Sequence, residues 1–252
     1  MAALGGLALF CLEGAAGTAF LLLFFPVGTL GKGFFSLHAL LAALLASIAM
    51  LAHPPGAPAG AMAAAAASLG AYALVSHAGF AGPARPLLAA GAAVAFWSLG
   101  RSALVLPRGA GDGWVVVGAV LGGLFLGSVI LCMNLGHWYL VSRSLPFRLL
   151  ARGALLFAGL AVARTALLGA AIAFHRTDGL ESLLSLERDA LFFLFRVLWG
   201  IVGPLALSWF IWKTADMRSN QAATGLLYVA LVFVLIGELL SSYLTVATGF
   251  PA

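Results

Sequence analysis

Long apolar runs, separated by short clusters of Pro, Gly and charged residues, fill almost the whole chain. A helix that crosses the hydrocarbon core of a bilayer needs about 20 predominantly apolar residues. Runs of that length, with ends placed to within about two to four residues, predict these eight spanning helices: Ala2–Phe25, Gly33–Leu51, Gly60–His77, Pro86–Leu106, Trp114–Val141, Phe147–Phe174, Ala190–Trp212 and Ser219–Gly249. The pattern therefore predicts an all-α protein, a polytopic transmembrane helical bundle.

Residues 1–252 are expected to form a single integral membrane domain. The first run has no basic segment before it and carries Glu13, so it is interpreted as a retained helix and not as a signal peptide. The longest predicted outer loop, 177–189, places Leu180, Leu183 and Leu184 at helical spacing. That spacing predicts a short helix lying at the membrane interface.

Composition agrees with the membrane class. Hydrophobic residues make up 63% of the chain and charged residues 8%, against roughly 45–50% and about 25% in an average soluble domain. Cys11 and Cys132 both sit inside apolar runs, which argues against a disulfide framework or a zinc knuckle. The formal charge is +5, but the basic residues are scattered among the loops, which favours a role in membrane orientation over nucleic-acid binding.

The distribution of Lys and Arg predicts which side faces the cytoplasm. One side carries Lys32, Arg85, Arg143, Arg148, Arg152, Lys213 and Arg218, whereas the other carries only Arg108, Arg176 and Arg188 together with most of the acidic loop residues. The first side is therefore predicted to be cytoplasmic, with the N- and C-termini outside. The expected location is the bacterial inner (cytoplasmic) membrane.

Among the ionisable residues of the predicted spans, five are candidates for a shared buried site: Glu13, Arg101, Arg164, Arg196 and Glu238. Such groups cost about 2.5–3.5 kcal/mol each on insertion scales and usually face a protein interior or a cavity. Their positions along the helices predict a polar pocket near the outer surface, where the arginines hold oxygen atoms of a quinone, a haem propionate or an anionic substrate. The alternative is that ion pairs such as Arg164 with Glu238 only lock helices together, while Arg101 and Arg196 extend outward to the interface.

Hydroxyl and aromatic side chains surround two of these residues. Ser241, Ser242 and Thr245 lie three, four and seven positions after Glu238 and so share its helix face. Tyr243 on the same helix, and Trp199 beside Arg196, are candidates for contacting a ligand. A carboxylate beside hydroxyls and aromatic rings suits proton-coupled chemistry, which makes Glu238 the first candidate for proton transfer and Glu13 the second.

Two histidines on different helices define another candidate site. His38 and His137 are predicted at similar depth near the inner side, and two such histidines can ligate one b-type haem. The alternative is that Asn134 and His137 form hydrogen bonds between helices, with Trp138 and Tyr139 anchored at the interface. No carboxylate-rich metal cluster, nucleotide-binding loop or hydrolase motif is present in the sequence.

Two stretches, Asn134-Leu135-Gly136-His137-Trp138-Tyr139 and Gly237-Glu238-Leu239-Leu240, carry a resemblance to known membrane subunits. The chain resembles the membrane-anchor and quinone-reactive subunits of bacterial respiratory complexes, such as the polysulfide-reductase-type subunit and the di-haem cytochrome b anchors. This resemblance implies a quinone site made by buried polar side chains, with soluble redox subunits docked on one face.

The expected function is that of an integral subunit of a bacterial electron-transfer complex, which binds quinone or quinol near the outer leaflet and couples to proton transfer. Its expected partners are other subunits of the complex and lipids. Three alternatives stay open: a haem b subunit that uses His38 and His137, a small-solute or anion transporter that uses the arginines, and a structural scaffold.

Overall fold

A computed structural model describes residues 2–106, 112–142, 145–146, 148–174 and 187–251. Within these ranges the chain is helical and contains no strand. The α-helices are α1 (Ala2–Leu22), α2 (Val27–Ala52), α3 (Ala59–Val75), α4 (Arg85–Leu104), α5 (Asp112–Val141), α6 (Arg148–Phe174), α7 (Glu187–Val197), α8 (Gly203–Asp216) and α9 (Asn220–Thr248).

Eight helical segments are long and apolar enough to cross a membrane, which confirms the predicted multi-pass bundle. The second segment begins at Val27 and not at Gly33 as predicted, because the helix continues through a kink at Gly31, whose φ of 75° is accessible to glycine. Most of the predicted interfacial helix at 177–189 lies outside the described residues.

The seventh span consists of α7 and α8 joined by a π-helical turn, Leu198–Val202. Pro204 follows at the start of α8. Proline has no backbone N–H, so the carbonyl four residues before it, that of Gly200, lacks its usual helical donor. This missing hydrogen bond accounts for the wider, π-helical turn on the N-terminal side of Pro204.

The helix at the centre of the bundle is α1, which packs against α2, α4, α5 and α9. Small residues make this possible, since lipid provides no hydrophobic force to bring helices together and close backbone approach takes its place. A Cβ on Gly17 would lie 1.7 Å from the carbonyl oxygen of Gly123, so α1 and α5 cross in backbone contact. The crossing leaves no room for any side chain at Gly17.

Both chain ends lie on the same side of the bundle, as an even number of spans requires. The Cβ position of Gly5 lies 3.1 Å from a methyl group of Val246, and that of Gly118 lies 3.1 Å from Pro251. We call this side, marked by residues 2 and 251, the terminal side.

Candidate functional site

Glu238 on α9 is the centre of a buried ion-pair network. Arg164 on α6 donates from Nη2 to Oε2 of Glu238 at 2.9 Å and from Nε to Oε1 at 3.3 Å. Nη2 of Arg196, on α7, lies 3.0 Å from Oε1 of the same carboxylate. All three side chains are at most 2% exposed. A single carboxylate thus joins two guanidinium groups that come from separate helices.

Two hydroxyls extend the network to a second carboxylate. Arg164 Nη2 also contacts Oγ of Ser241 at 2.7 Å, and Ser242 donates to Oε2 of Glu13 at 3.1 Å. Ser241 and Ser242 lie one helical turn beyond Glu238, so the predicted sharing of one helix face is confirmed. We call Glu13, Arg164, Arg196, Glu238, Ser241 and Ser242 the charge cluster.

Glycines allow the helices that carry the charge cluster to approach closely. A Cβ on Gly122 of α5 would lie 2.9 Å from Oε2 of Glu238 and 3.3 Å from Oε1 of Glu13, so both carboxylates rest against the backbone at this residue. A Cβ on Gly237 would lie 2.1 Å from the Cα of Gly200. These close approaches also set the positions of the charged groups.

Formal charges within the cluster cancel, since two guanidinium groups face two carboxyl groups. The cluster therefore carries no formal surplus of positive charge with which to hold an anionic ligand. Glu238 lies ten residues before the end of α9 at Thr248, or about 15 Å along the axis, so the cluster lies deep inside the bundle.

Nε and Nη1 of Arg196 are buried and have no hydrogen-bond partner among the described residues.

Three residues predicted to hold a ligand are exposed or only half-buried, unlike the members of the charge cluster. Arg101 is exposed in the last turn of α4, where its long side chain can reach the interface, so the expectation that it joins the other arginines is wrong. Trp199 is 38% exposed and packs edge-on against Phe233. Tyr243 is half-buried beside Phe192, with ring centroids 5.5 Å apart.

The two candidate haem ligands lie in different surroundings. His38 is fully buried and its ring packs against that of Phe34, with centroids 4.2 Å apart and an angle of 42° between the ring planes. His137 is exposed, and its Nδ1 lies 3.1 Å from the hydroxyl of Tyr228 on α9. One ring is buried inside the bundle and the other is exposed, so the two histidines do not share one environment.

An apolar cavity of about 210 Å³ lies between four helices. We call it the central cavity; its lining residues are Phe10 of α1, Leu41 and Leu45 of α2, Leu126, Ile130, Met133 and Asn134 of α5, and Leu231 and Leu235 of α9. Most of these side chains are partly exposed, including both from α2 and both from α9. The cavity therefore opens toward lipid between α2 and α9.

The central cavity borders the charge cluster. Phe10 precedes Glu13 by three residues and Leu235 precedes Glu238 by three residues. Residues at this spacing share a helix face and are about one turn apart. Two buried carboxyl groups thus lie one turn from an apolar space that a ligand could enter from the membrane. Among the lining residues, Asn134 is the one that stands out in the sequence, because it is polar and lies inside an apolar run.

Comparison with known proteins adds no assignment: the chain matches no protein-family model, no curated protein and no solved structure. Among the described residues there is also no group of three or more His, Cys, Asp or Glu side chains that could hold a metal ion. The case for a function therefore rests on the charge cluster and the central cavity.

Proposed function

We propose that this protein is a multi-pass membrane subunit of a bacterial electron-transfer complex, and that it binds the ring of a quinone or quinol in the central cavity. The observation that carries the proposal is the adjacency of an apolar, lipid-facing cavity to two buried carboxyl groups. Quinone chemistry needs both, because the ring is apolar while its reduction and oxidation take up and release protons.

The size and lining of the central cavity support a ring without its tail. Its volume of about 210 Å³ is below the roughly 300–1,000 Å³ of a typical small-molecule pocket. A substituted six-membered ring therefore occupies the cavity, while a hydrocarbon tail leaves between α2 and α9 into lipid. The Asn134 amide is the polar group in the lining, and such isolated polar groups commonly fix the orientation of a ligand.

Contacts in the charge cluster change the roles expected of its members. Arg164 and Arg196 both bind Glu238, so in this proposal they hold that carboxylate and do not hold the oxygen atoms of the ligand. Glu13 is approached by the Ser242 hydroxyl, and no ion pair shorter than 4.0 Å joins it to a basic group of the described chain. We therefore place proton exchange on Glu13 first, with Glu238 as the fixed anion beside it.

Soluble redox subunits are the proposed partners. Nearly all of the described chain lies in the eight candidate spans, so electrons that leave a quinol need an acceptor on another polypeptide. Purification of the native complex tests this part of the proposal. Recovery of the chain alone, under conditions that preserve other membrane complexes, would contradict it.

The binding proposal is tested by filling the central cavity. Leu41→Phe places extra volume in the lining, whereas Leu44→Phe makes the same change three residues later on a side chain that is 56% exposed. Binding of duroquinone, a tetramethyl benzoquinone without a tail, is measured by calorimetry on the full chain in lipid nanodiscs. We expect Leu41→Phe to weaken binding at least about tenfold, which is ~1.4 kcal/mol, and Leu44→Phe to leave it unchanged.

A second pair of variants, on α9, keeps the test valid if Leu41→Phe fails to fold. Leu231 lines the central cavity, and its neighbour Val232 is 51% exposed, so Leu231→Phe and Val232→Phe repeat the comparison from the opposite wall. The proposal is overturned if the unmodified chain shows no saturable binding, or if both lining variants bind as tightly as their exposed controls.

A further inference from the structure

The two ring nitrogens of the buried His38 can be assigned, one as a hydrogen-bond donor and the other as an acceptor. Nδ1 lies 2.6 Å from the carbonyl oxygen of Phe34, and because a carbonyl oxygen only accepts, Nδ1 carries the hydrogen. A neutral imidazole then has a lone pair on Nε2. That Nε2 is buried and has no partner among the described residues. A buried polar atom of this kind normally has a partner, and here the partner must be a donor.

His38 of α2 and Asn134 of α5 lie at a similar depth in the bundle. The two helices run in opposite directions, and the rings of Phe34 and Trp138 meet between them with centroids 5.6 Å apart. One turn toward the terminal side from this contact, α2 has His38 and α5 has Asn134. Since Asn134 lines the central cavity, His38 lies at the depth of the cavity end that is farther from the terminal side.

The next turns of the two helices confirm this relative depth. Leu45 of α2 and Leu126 of α5 both approach the Cβ position of Gly14, at 3.0 and 3.3 Å. Leu41 and Leu45 follow His38 by three and seven residues, so all three share one face of α2. Leu41 and Leu45 line the central cavity, and the fully buried His38 lies one turn beyond Leu41 on the same face.

We infer that His38 accepts a hydrogen bond from a hydroxyl of the ligand, so that the central cavity selects the reduced quinol over the quinone. This inference rests on the proposed function and names the state of its ligand. A quinol carries hydroxyl groups that donate hydrogen bonds, whereas both oxygens of a quinone only accept. The amide of Asn134 donates to the carbonyl of Ile130 at 3.0 Å and keeps a second N–H and its oxygen for the same ligand group.

The inference also orients the bound ring within the central cavity. The hydroxyl of a bound ring that meets His38 lies at the end near Asn134, while the charge cluster borders the other end through Phe10 and Leu235. The two para oxygens of one ring therefore face different polar groups. Loss of the hydroxyl hydrogen removes the donor to Nε2 of His38, so the oxidised ring binds more weakly and is released.

The experiment compares duroquinol with duroquinone, two ligands that differ in the hydroxyl hydrogens. Binding to the full chain in nanodiscs is measured without oxygen. We expect the unmodified chain to bind duroquinol about tenfold more tightly, which is ~1.4 kcal/mol and is of the size that one hydrogen bond contributes. His38→Phe, which keeps an aromatic ring and removes the acceptor, is expected to abolish the preference while duroquinone binding stays within about twofold.

Two further variants complete the design. His38→Gln restores an acceptor oxygen and is expected to keep part of the preference, while His137→Phe changes the exposed histidine and is expected to keep all of it. Equal affinity of the unmodified chain for both ligands overturns this inference alone, as does a preference that survives His38→Phe. If the unmodified chain binds neither ligand, the proposed function fails together with it.

Discussion

Arg164 and Glu238 form a two-point ion pair inside the bundle, with Nε 3.3 Å from Oε1 and Nη2 2.9 Å from Oε2. The planar fork of a guanidinium matches the two oxygens of a carboxylate, so this pair fixes the angle as well as the distance between α6 and α9. A buried charge that loses its partner is strongly destabilising. The pair therefore holds the helices in place whether or not the charge cluster has a further role.

The first prediction concerns the loss of this pair. Arg164→Gln removes the guanidinium and leaves Glu238 with Arg196 as its remaining partner in the cluster. We expect the free energy of unfolding to fall by about 3 kcal/mol, at the lower end of the range for a broken buried ion pair. Thermal unfolding in detergent measures the change.

Arg101→Gln is the matched control for that prediction. It is the same substitution on a side chain that is exposed at the end of α4, so its effect is expected to stay within about 0.5 kcal/mol. Equal destabilisation by the two variants would contradict the location of Arg164 in the interior.

The second prediction uses two glycines of α9. Gly237→Ala places a Cβ 2.1 Å from the Cα of Gly200, a backbone atom that cannot move aside cheaply, whereas the Cβ position of Gly225 has no atom within 4 Å. We expect Gly237→Ala to destabilise the chain by about 1–3 kcal/mol through overpacking. Gly225→Ala is expected to be neutral or slightly stabilising, because alanine favours a helix over glycine. Unfolding transitions of equal midpoint for both would show that the π-helical turn Leu198–Val202 and α9 do not touch here.

Much of this fold can be predicted from sequence because the bilayer fixes the length of each span. The pairing of Arg164 with Glu238 follows from a similar argument, since a guanidinium in a low-dielectric interior needs an acceptor. The number of residues between a side chain and the end of its span gives its depth in the membrane. This count alone places Glu13, Arg164 and Glu238 at similar depths.

The direction in which each side chain points cannot be read in the same way. In a membrane, the residues that face lipid are as apolar as those that face the interior, so the pattern of apolar residues does not show which face is buried. For this reason the sequence predicts the same placement for Arg101 and Arg196, although the first is exposed and the second fully buried. It likewise predicts a similar depth for His38 and His137 and does not show that only His38 is buried.

The central cavity could not be predicted either, since it exists only between side chains of four helices. Its lining is almost entirely Leu, Ile, Met and Phe, residues that the sequence gives no reason to separate from the rest of the apolar surface. The polar residues that border it are visible in the sequence as interruptions of apolar runs. Their arrangement around one space depends on the helix crossings, which small residues such as Gly17 and Gly122 set.

The third prediction separates proton transfer from ligand binding at Glu13. Glu13→Gln removes the ionisable group but keeps an oxygen that accepts the hydrogen bond of Ser242, so the unfolding temperature and the affinity for duroquinol are expected to stay close to those of the unmodified chain. Quinol oxidation by the intact complex is expected to fall at least about 100-fold, the lower end of the contribution of a positioned acid or base. Ser242→Ala is the control, because it removes the hydroxyl and keeps the carboxyl group, so much of the turnover should survive. Undiminished turnover in Glu13→Gln would remove Glu13 from the proton path and leave the charge cluster as a lock between helices.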